Sequence, residues 1–180
     1  EDLKVLKEGH CDFYSFSYYM TNCITTQKDA TQVSGNIMGG AKNTYLKATE
    51  WNWQIDPVGL RYTLNHVYDR YGVPIMITEN GIGARDEFKD GKIHDPYRIS
   101  YIKDHVEQMR LAIDDGVNLI GYTPWTVIDV ISCSTGEMAK RYGFIYVDAD
   151  DEGNGTYNRY KKDSFYWYQK VIATNGEDLD

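Results

Sequence analysis

The sequence has no run of about 18 apolar residues, so it offers no segment fit to cross a bilayer as a helix. No charged-then-apolar leader opens it, so no signal peptide is read in these 180 residues. Cysteine is scarce: Cys11, Cys23 and Cys133, an odd number with no CxxC spacing. That excludes a disulfide framework and a thiolate zinc site, and it fits a reducing, cytoplasmic setting. Positive charge is also short. Against 27 Asp and Glu there are 19 Lys and Arg, for a net charge of -8. A nucleic-acid partner is therefore not expected, because phosphate backbones are met by basic faces. The histidines His10, His66, His94 and His105 are scattered and read as structural or surface groups, so no metal is expected. The Gly-rich stretch SGNIMGG at 34–40 lacks the GK[ST] ending of a phosphate loop and is read as part of a loop over a substrate entrance. The acidic stretch DADDEGNG at 148–155 lacks the twelfth-position Glu of a calcium loop and is read as a solvated turn.

Aromatic residues are plentiful: 16 Tyr, 4 Trp and 5 Phe. Such side chains suit carbohydrate faces, and they suit cores equally well. The 180 residues amount to about one domain, without an internal repeat or linker. Three units alternate strand and helix. Residues 11–19, CDFYSFSYY, form the first strand candidate. Asp56-Pro57 pairs a helix N-cap with proline at the first helical position, and the helix is expected to stop near Gly72. Residues 73–78, VPIMIT, read as a strand buried on both faces. Asp95-Pro96 is a second cap-plus-proline pair. After it Ile99, Ile102, Val106, Met109 and Ile113 step by three and four, and Gly116 closes the helix. Residues 117–123, VNLIGYT, give the third strand. Residues 140–147 read as one arm of a hairpin, and 161–173 as the last helix.

Strand–helix alternation with buried strands implies parallel pairing and right-handed crossovers. Three units cannot close a (β/α)8 barrel, which needs roughly 250 residues. The chain is thus either a small open α/β sheet or the last part of a barrel. In either case chemistry belongs at the carboxyl ends of strands, where Tyr18-Tyr19, Glu79-Asn80-Gly81 and Pro124-Trp125 fall. A carboxylate directly after an apolar strand costs free energy unless it is paired or opens into a cleft.

The segment ITENG resembles the nucleophile signature of glycoside hydrolase family 1. CDFYSFSYY, WNWQIDPVGLR, GYTPWTVIDVIS and KRYGFIYVD resemble further family motifs, in the family's order and over essentially the whole chain. The resemblance implies an α/β fold in which residues 1–180 are the C-terminal three βα units of a (β/α)8 TIM barrel, part of a single catalytic domain. Its N-terminal strands are absent. The family's acid/base glutamate, in an Asn-Glu-Pro-type motif, has no counterpart here, since the sequence contains no Asn-Glu dipeptide.

What the resemblance implies about roles is specific. Glu79 is the nucleophile of a retaining hydrolysis, and Tyr19 hydrogen-bonds it. Trp125 is the platform under the sugar, Trp51 the tryptophan on the aglycone side, and Trp53 structural packing. Ser17 stands where most members have Asn. Ser132-Cys133 stands where most carry Glu-Trp, and STGEMAKRYGF follows, as in the 6-phospho-β-glycosidase branch. There a serine, a lysine and a tyrosine hold the phosphate. Here these are Lys140, Tyr142 and either Ser134, the first choice, or Ser132. A hydroxyl donates to a phosphate that a carboxylate would repel, and Lys140 adds a point charge. Lys140 and Tyr142, two apart, face one side of an extended segment. The small Cys133 favours a phospho-glucoside over a phospho-galactoside. The expected substrate is a 6-phospho-β-glucoside, without cofactor. The alternatives are a non-catalytic fragment that binds sugar phosphate, or an ordinary β-glucosidase. The open sheet edge at 11–19 is expected to pair with a complementary N-terminal piece or a second copy.

Overall fold

The computed structural model describes residues 1–33 and 39–180. Most of the Gly-rich stretch read as an entrance loop therefore lies outside the described residues. In chain order the elements are α1 (Asp2–Glu8), β1 (Tyr14–Ser17), β2 (Gln32–Val33), β3 (Gly40–Ala41), α2 (Pro57–Tyr71), β4 (Ile75–Glu79), β5 (Phe88–Lys89), β6 (Lys92–Ile93), α3 (Pro96–Asp114), β7 (Leu119–Tyr122), β8 (Ile145–Val147), β9 (Arg159–Lys161) and α4 (Asp163–Ala173). β1, β4 and β7 form a parallel sheet in that order, with β4 in the middle. α2 carries the chain from β1 to β4, and α3 from β4 to β7. The hairpins β2–β3, β5–β6 and β8–β9 are antiparallel and lie in the connections.

Local sequence explains the helix ends. The Asp56 carboxylate accepts from the Gly59 N–H (2.9 Å), and Gly72 ends α2 in the left-handed region at φ 63°. Asp95 occupies the N-cap of α3 but does not cap it with its side chain. Its oxygens instead accept from Ser164 N and Oγ and from Arg98 Nε.

Ile75 and Ile77 of β4 are fully buried with Leu60, Leu64, Met109 and Ala112 between sheet and helices. Each of the isoleucine, leucine and methionine side chains stabilises the fold by about 1.5–3 kcal/mol. Thr78 is exposed and Met76 half-buried, so β4 is covered on one face and not on both as its apolar run implied. A second cluster of Ile82, Tyr101, Ile102, Phe144, Trp167 and Val171 packs α4 on α3.

Other expectations are corrected in detail. β1 is four residues long, with a register irregularity between Phe16 and Ser17, and beyond it the Tyr18 hydroxyl donates to the Asp56 carbonyl at the start of α2 (2.6 Å). The hairpin arm begins at Ile145, not Lys140. α1 has no buried residue, which is why no periodicity announces it.

His105, on α3, has its ring 6.0 Å from that of Tyr18. It is fully buried, and its Nδ1–H donates to the Tyr101 carbonyl (2.7 Å). Nε2 has no partner among the described residues. Burial lowers its pKa from 6.5 to about 4. The unfolded chain therefore binds a proton that the native state refuses. The stability so contributed is complete above pH 6.5 and is lost as pH falls toward 4, by up to about 3 kcal/mol. Urea midpoints measured from pH 7 to 4.5 should fall more steeply for the parent than for His105→Gln. Parallel curves would refute this.

Candidate active site

Glu79 ends β4, and Ser17 of β1 stands opposite it in register. The Tyr19 hydroxyl donates to Glu79 Oε2 (2.9 Å). Burial and that bond push the Tyr19 phenol well up, so it remains a donor at any working pH. The next residue, Asn80, is fully buried and saturated. It donates to the Tyr18 carbonyl (2.7 Å) and Tyr101 hydroxyl (3.0 Å), and accepts from the Tyr122 hydroxyl (2.9 Å). These bonds fix the backbone from which Glu79 projects. Trp125 N–H donates to the Asn80 carbonyl (2.7 Å), which brings the end of β7 beside the end of β4. A Cβ at Gly81 would collide with the Trp125 carbonyl, so only glycine fits there. Trp125 itself is 37% exposed at the mouth of the sheet.

Trp53 connects Glu79's partner to the cationic segment. Its ring meets Tyr19 edge-on at 5.2 Å, lies 6.0 Å from Tyr142, and has the Lys140 Nζ 4.1 Å from its centroid. Trp53 is buried, as expected of a packing residue, and what it packs against are Tyr19, Tyr142 and Lys140. Lys140 is 1% exposed. Its ammonium meets the faces of Trp53, Trp51 (5.6 Å) and Tyr142 (5.7 Å), and no carboxylate partner among the described residues. Burial lowers its pKa below the usual lysine value, while Glu137 opposes that shift. Lys140 and Tyr142 do share a side, for a Cβ at Gly83 would touch both.

Ser132 is buried with its hydroxyl 3.0 Å from that of Tyr142. Ser134, the first choice from sequence, is exposed, 3.4 Å from Ser132 Oγ. The serine lodged with Tyr142 is therefore Ser132, and Ser134 and the exposed Cys133 stand at the rim. Trp51 is half-buried beside the exposed Arg85–Glu50 ion pair, and its Nε1–H donates to Glu137 (2.8 Å). Glu137 and Asn80 were not singled out from sequence. A polar residue following a strand-end glutamate is the only local signal for Asn80, and Glu137 has none.

Behind the site lies a buried ionic cluster that no single motif announces. Arg98 pairs with Asp86 (3.0 Å) and Asp95 (2.9 Å), Lys162 with Asp86 and with Asp129 (2.8 Å), and Arg141 with Asp129 (3.5 Å). Three cations meet three carboxylates, so the cluster is neutral. Burial alone would raise the Asp86 pKa, yet Arg98 and Lys162 outweigh it and hold the carboxyl below its ordinary value.

The model of the family described as "Glycosyl hydrolase family 1" matches residues 1–177. An aryl-phospho-β-D-glucosidase of Bacillus subtilis (strain 168) is 59% identical over 99% of this chain. A 6-phospho-β-glucosidase of Escherichia coli (strain K12) is 54% identical over 99% of it. The chain spans 38% of the length of each of these relatives. Among solved structures, a β-glucosidase from Thermotoga maritima in complex with castanospermine superposes on 98% of this chain and 38% of its own, with TM-score 0.82 and 32% identity.

Proposed function

The chain belongs to glycosyl hydrolase family 1, and from that premise we propose that it is the C-terminal, nucleophile-bearing part of a retaining 6-phospho-β-glucosidase. In this reading residues 1–180 are the last three βα units of a single (β/α)8 catalytic domain. The order of the family motifs supports it, as does a parallel sheet whose strand ends carry Glu79 and Trp125. β1 and β7 are then sheet edges that the rest of the barrel closes. Exposed Ile113 and Ile120 on the β7 side suit such a covering, whether it comes from the same polypeptide or from a complementary piece. The three unpaired thiols suit a cytoplasmic enzyme.

The observation that carries the reading is one continuous cluster running from Glu79 through Tyr19 and Trp53 to Lys140, Tyr142 and Ser132. A carboxylate at one end and a buried ammonium at the other, without a carboxylate partner among the described residues, match the two ends of a hexose 6-phosphate. Glu79 attacks the anomeric carbon, and the glycosidic C–O bond breaks as the ester to Glu79 forms. The leaving oxygen takes its proton from an acid outside this chain. Water then attacks the same carbon, gives its proton to that same group, and frees Glu79. The Tyr19 hydroxyl donates to the Glu79 carboxylate and aims it. Trp125 offers an indole face to the sugar's C–H groups, Trp53 walls the middle of the site, and Trp51 flanks the entrance on the aglycone side. Ser132, Lys140 and Tyr142 hold the phosphate, with Ser134 an outer contact. The small Cys133 leaves room that suits a glucoside. Two relatives above 50% identity whose names specify phosphorylated β-glucosides support the substrate class.

The test uses the complete polypeptide that contains this chain. A fluorinated 6-phospho-glucoside should add its sugar mass to the peptide holding Glu79, and the unphosphorylated analogue should label far more slowly. A label on any other carboxylate would overturn the assignment.

A further inference from the structure

A hexose 6-phosphate held at both ends imposes a length. Its anomeric carbon must reach Glu79 while its phosphate reaches Lys140 and Tyr142, and the ring between them does not stretch. The separation of the two protein segments therefore has to be right to a fraction of an ångström, because misplacement by about 1 Å costs about 100-fold in rate. Nothing on the sugar side sets that separation. Something in the protein must.

The fully buried guanidinium of Arg98 lies between the two segments. Its Nη1 donates to the carbonyl of Ile82 (3.0 Å), three residues beyond Glu79, and to the carbonyl of Tyr142 (3.0 Å). The same nitrogen lies 3.4 Å from the carbonyl of Arg141. Nε and Nη2 are anchored on Asp95 and Asp86. Beside this fork, Ala84 and Arg141 exchange both backbone hydrogen bonds (2.9 Å each). Asp129 holds the far side of the cationic segment by accepting from Gly143 N–H (2.8 Å) and from Lys162 (2.8 Å). The stretch 79–83 is itself stiff, with Asn80 saturated and no space for a side chain at Gly81.

We propose that Arg98 is a positioning residue that sets the distance between the Glu79 segment and the Lys140–Tyr142 segment, and so makes the phosphate's binding energy available to the chemical step. The proposal rests on the phosphate reading above. A fully buried charge cluster is a poor source of stability, since desolvation cancels much of its attraction. Its use here is geometric. Only a planar fork can reach two carbonyls and two carboxylates at once, which a lysine ammonium cannot do.

Arg98→Lys and Asp95→Asn are to be compared with the parent in the complete polypeptide. Rates on an aryl 6-phospho-glucoside and the plain aryl glucoside are corrected for active sites by covalent titration. With Lys140 still in place the phosphate continues to bind, so KM should change little. For Arg98→Lys kcat on the phosphorylated substrate should fall roughly 30- to 100-fold, and the plain glucoside, tied at one end only, should lose less than about 3-fold. Asp95→Asn should move in the same direction by less. Equal loss on both substrates would overturn the proposal. So would a rise in KM with kcat unchanged, or a failure of both variants to yield folded protein, which would make the cluster a folding element. A parent that shows no preference for the phosphorylated substrate would instead refute the phosphate reading itself.

Discussion

Lys140→Met should abolish most of the preference for phosphorylated substrate without weakening the fold. The ammonium is almost wholly buried, and it faces three aromatic rings and no carboxylate partner among the described residues. Holding a charge there costs free energy, and its lowered pKa reflects the same cost. A phosphate dianion would repay it. A charge-assisted contact of this kind contributes about 2–3 kcal/mol, so kcat/KM on a 6-phospho-glucoside should drop roughly 30- to 150-fold, mainly through KM. Turnover of the plain glucoside should stay within about 3-fold of the parent, because that substrate has no phosphate for Lys140 to hold. Methionine nearly fills the same volume and carries no charge, so the urea midpoint should hold or rise. Substrate preference and stability would then move in opposite directions. Equal losses on both substrates would remove Lys140 from the phosphate site.

Much of this was legible in the sequence where the signal is local. The apolar runs around Ile75 and Leu119 and the three-four spacing of α3 mark elements whose faces are buried, and β4, β7 and α3 formed there. The strand ends mark the positions of Glu79 and Tyr19, the resemblance to the family pairs them, and they do meet. Signals failed where a residue's partner is distant along the chain. Aspartate before proline at a helix start is a local pattern that points to a cap; the side-chain partners of Asp95 include Ser164, 69 residues away. Trp53 and Trp51 look alike in sequence, and only the approach of Tyr19 and Lys140 separates their roles. The hairpin arm is shorter than the sequence pattern suggests for a related reason. Residues 140–143 are drawn off the strand by Arg98 and Asp129, which come from α3 and from the loop after β7.

Glu79→Gln should produce the largest loss of activity of any single change. Glutamine keeps the shape of the side chain, and its amide oxygen can still accept from the Tyr19 hydroxyl, so the geometry around Asn80 and Trp125 is retained. What it lacks is the anionic oxygen that bonds to the anomeric carbon. Without that bond there is no glycosyl-enzyme intermediate, and the reaction is left with binding and orientation alone. Removal of a catalytic nucleophile in this way costs about 10⁴- to 10⁶-fold in kcat. The fold should not suffer, since the half-buried Glu79 accepts a hydrogen bond from Tyr19 and has no cationic partner among the described residues. Removing its charge leaves no opposite charge stranded. Steady-state rates, melting temperature and intact mass after incubation with the fluorinated 6-phospho-glucoside check this together. The expected set is a collapsed kcat, an unchanged or raised melting temperature, and no covalent adduct. A variant that still acquires the sugar mass would show that another residue attacks the substrate.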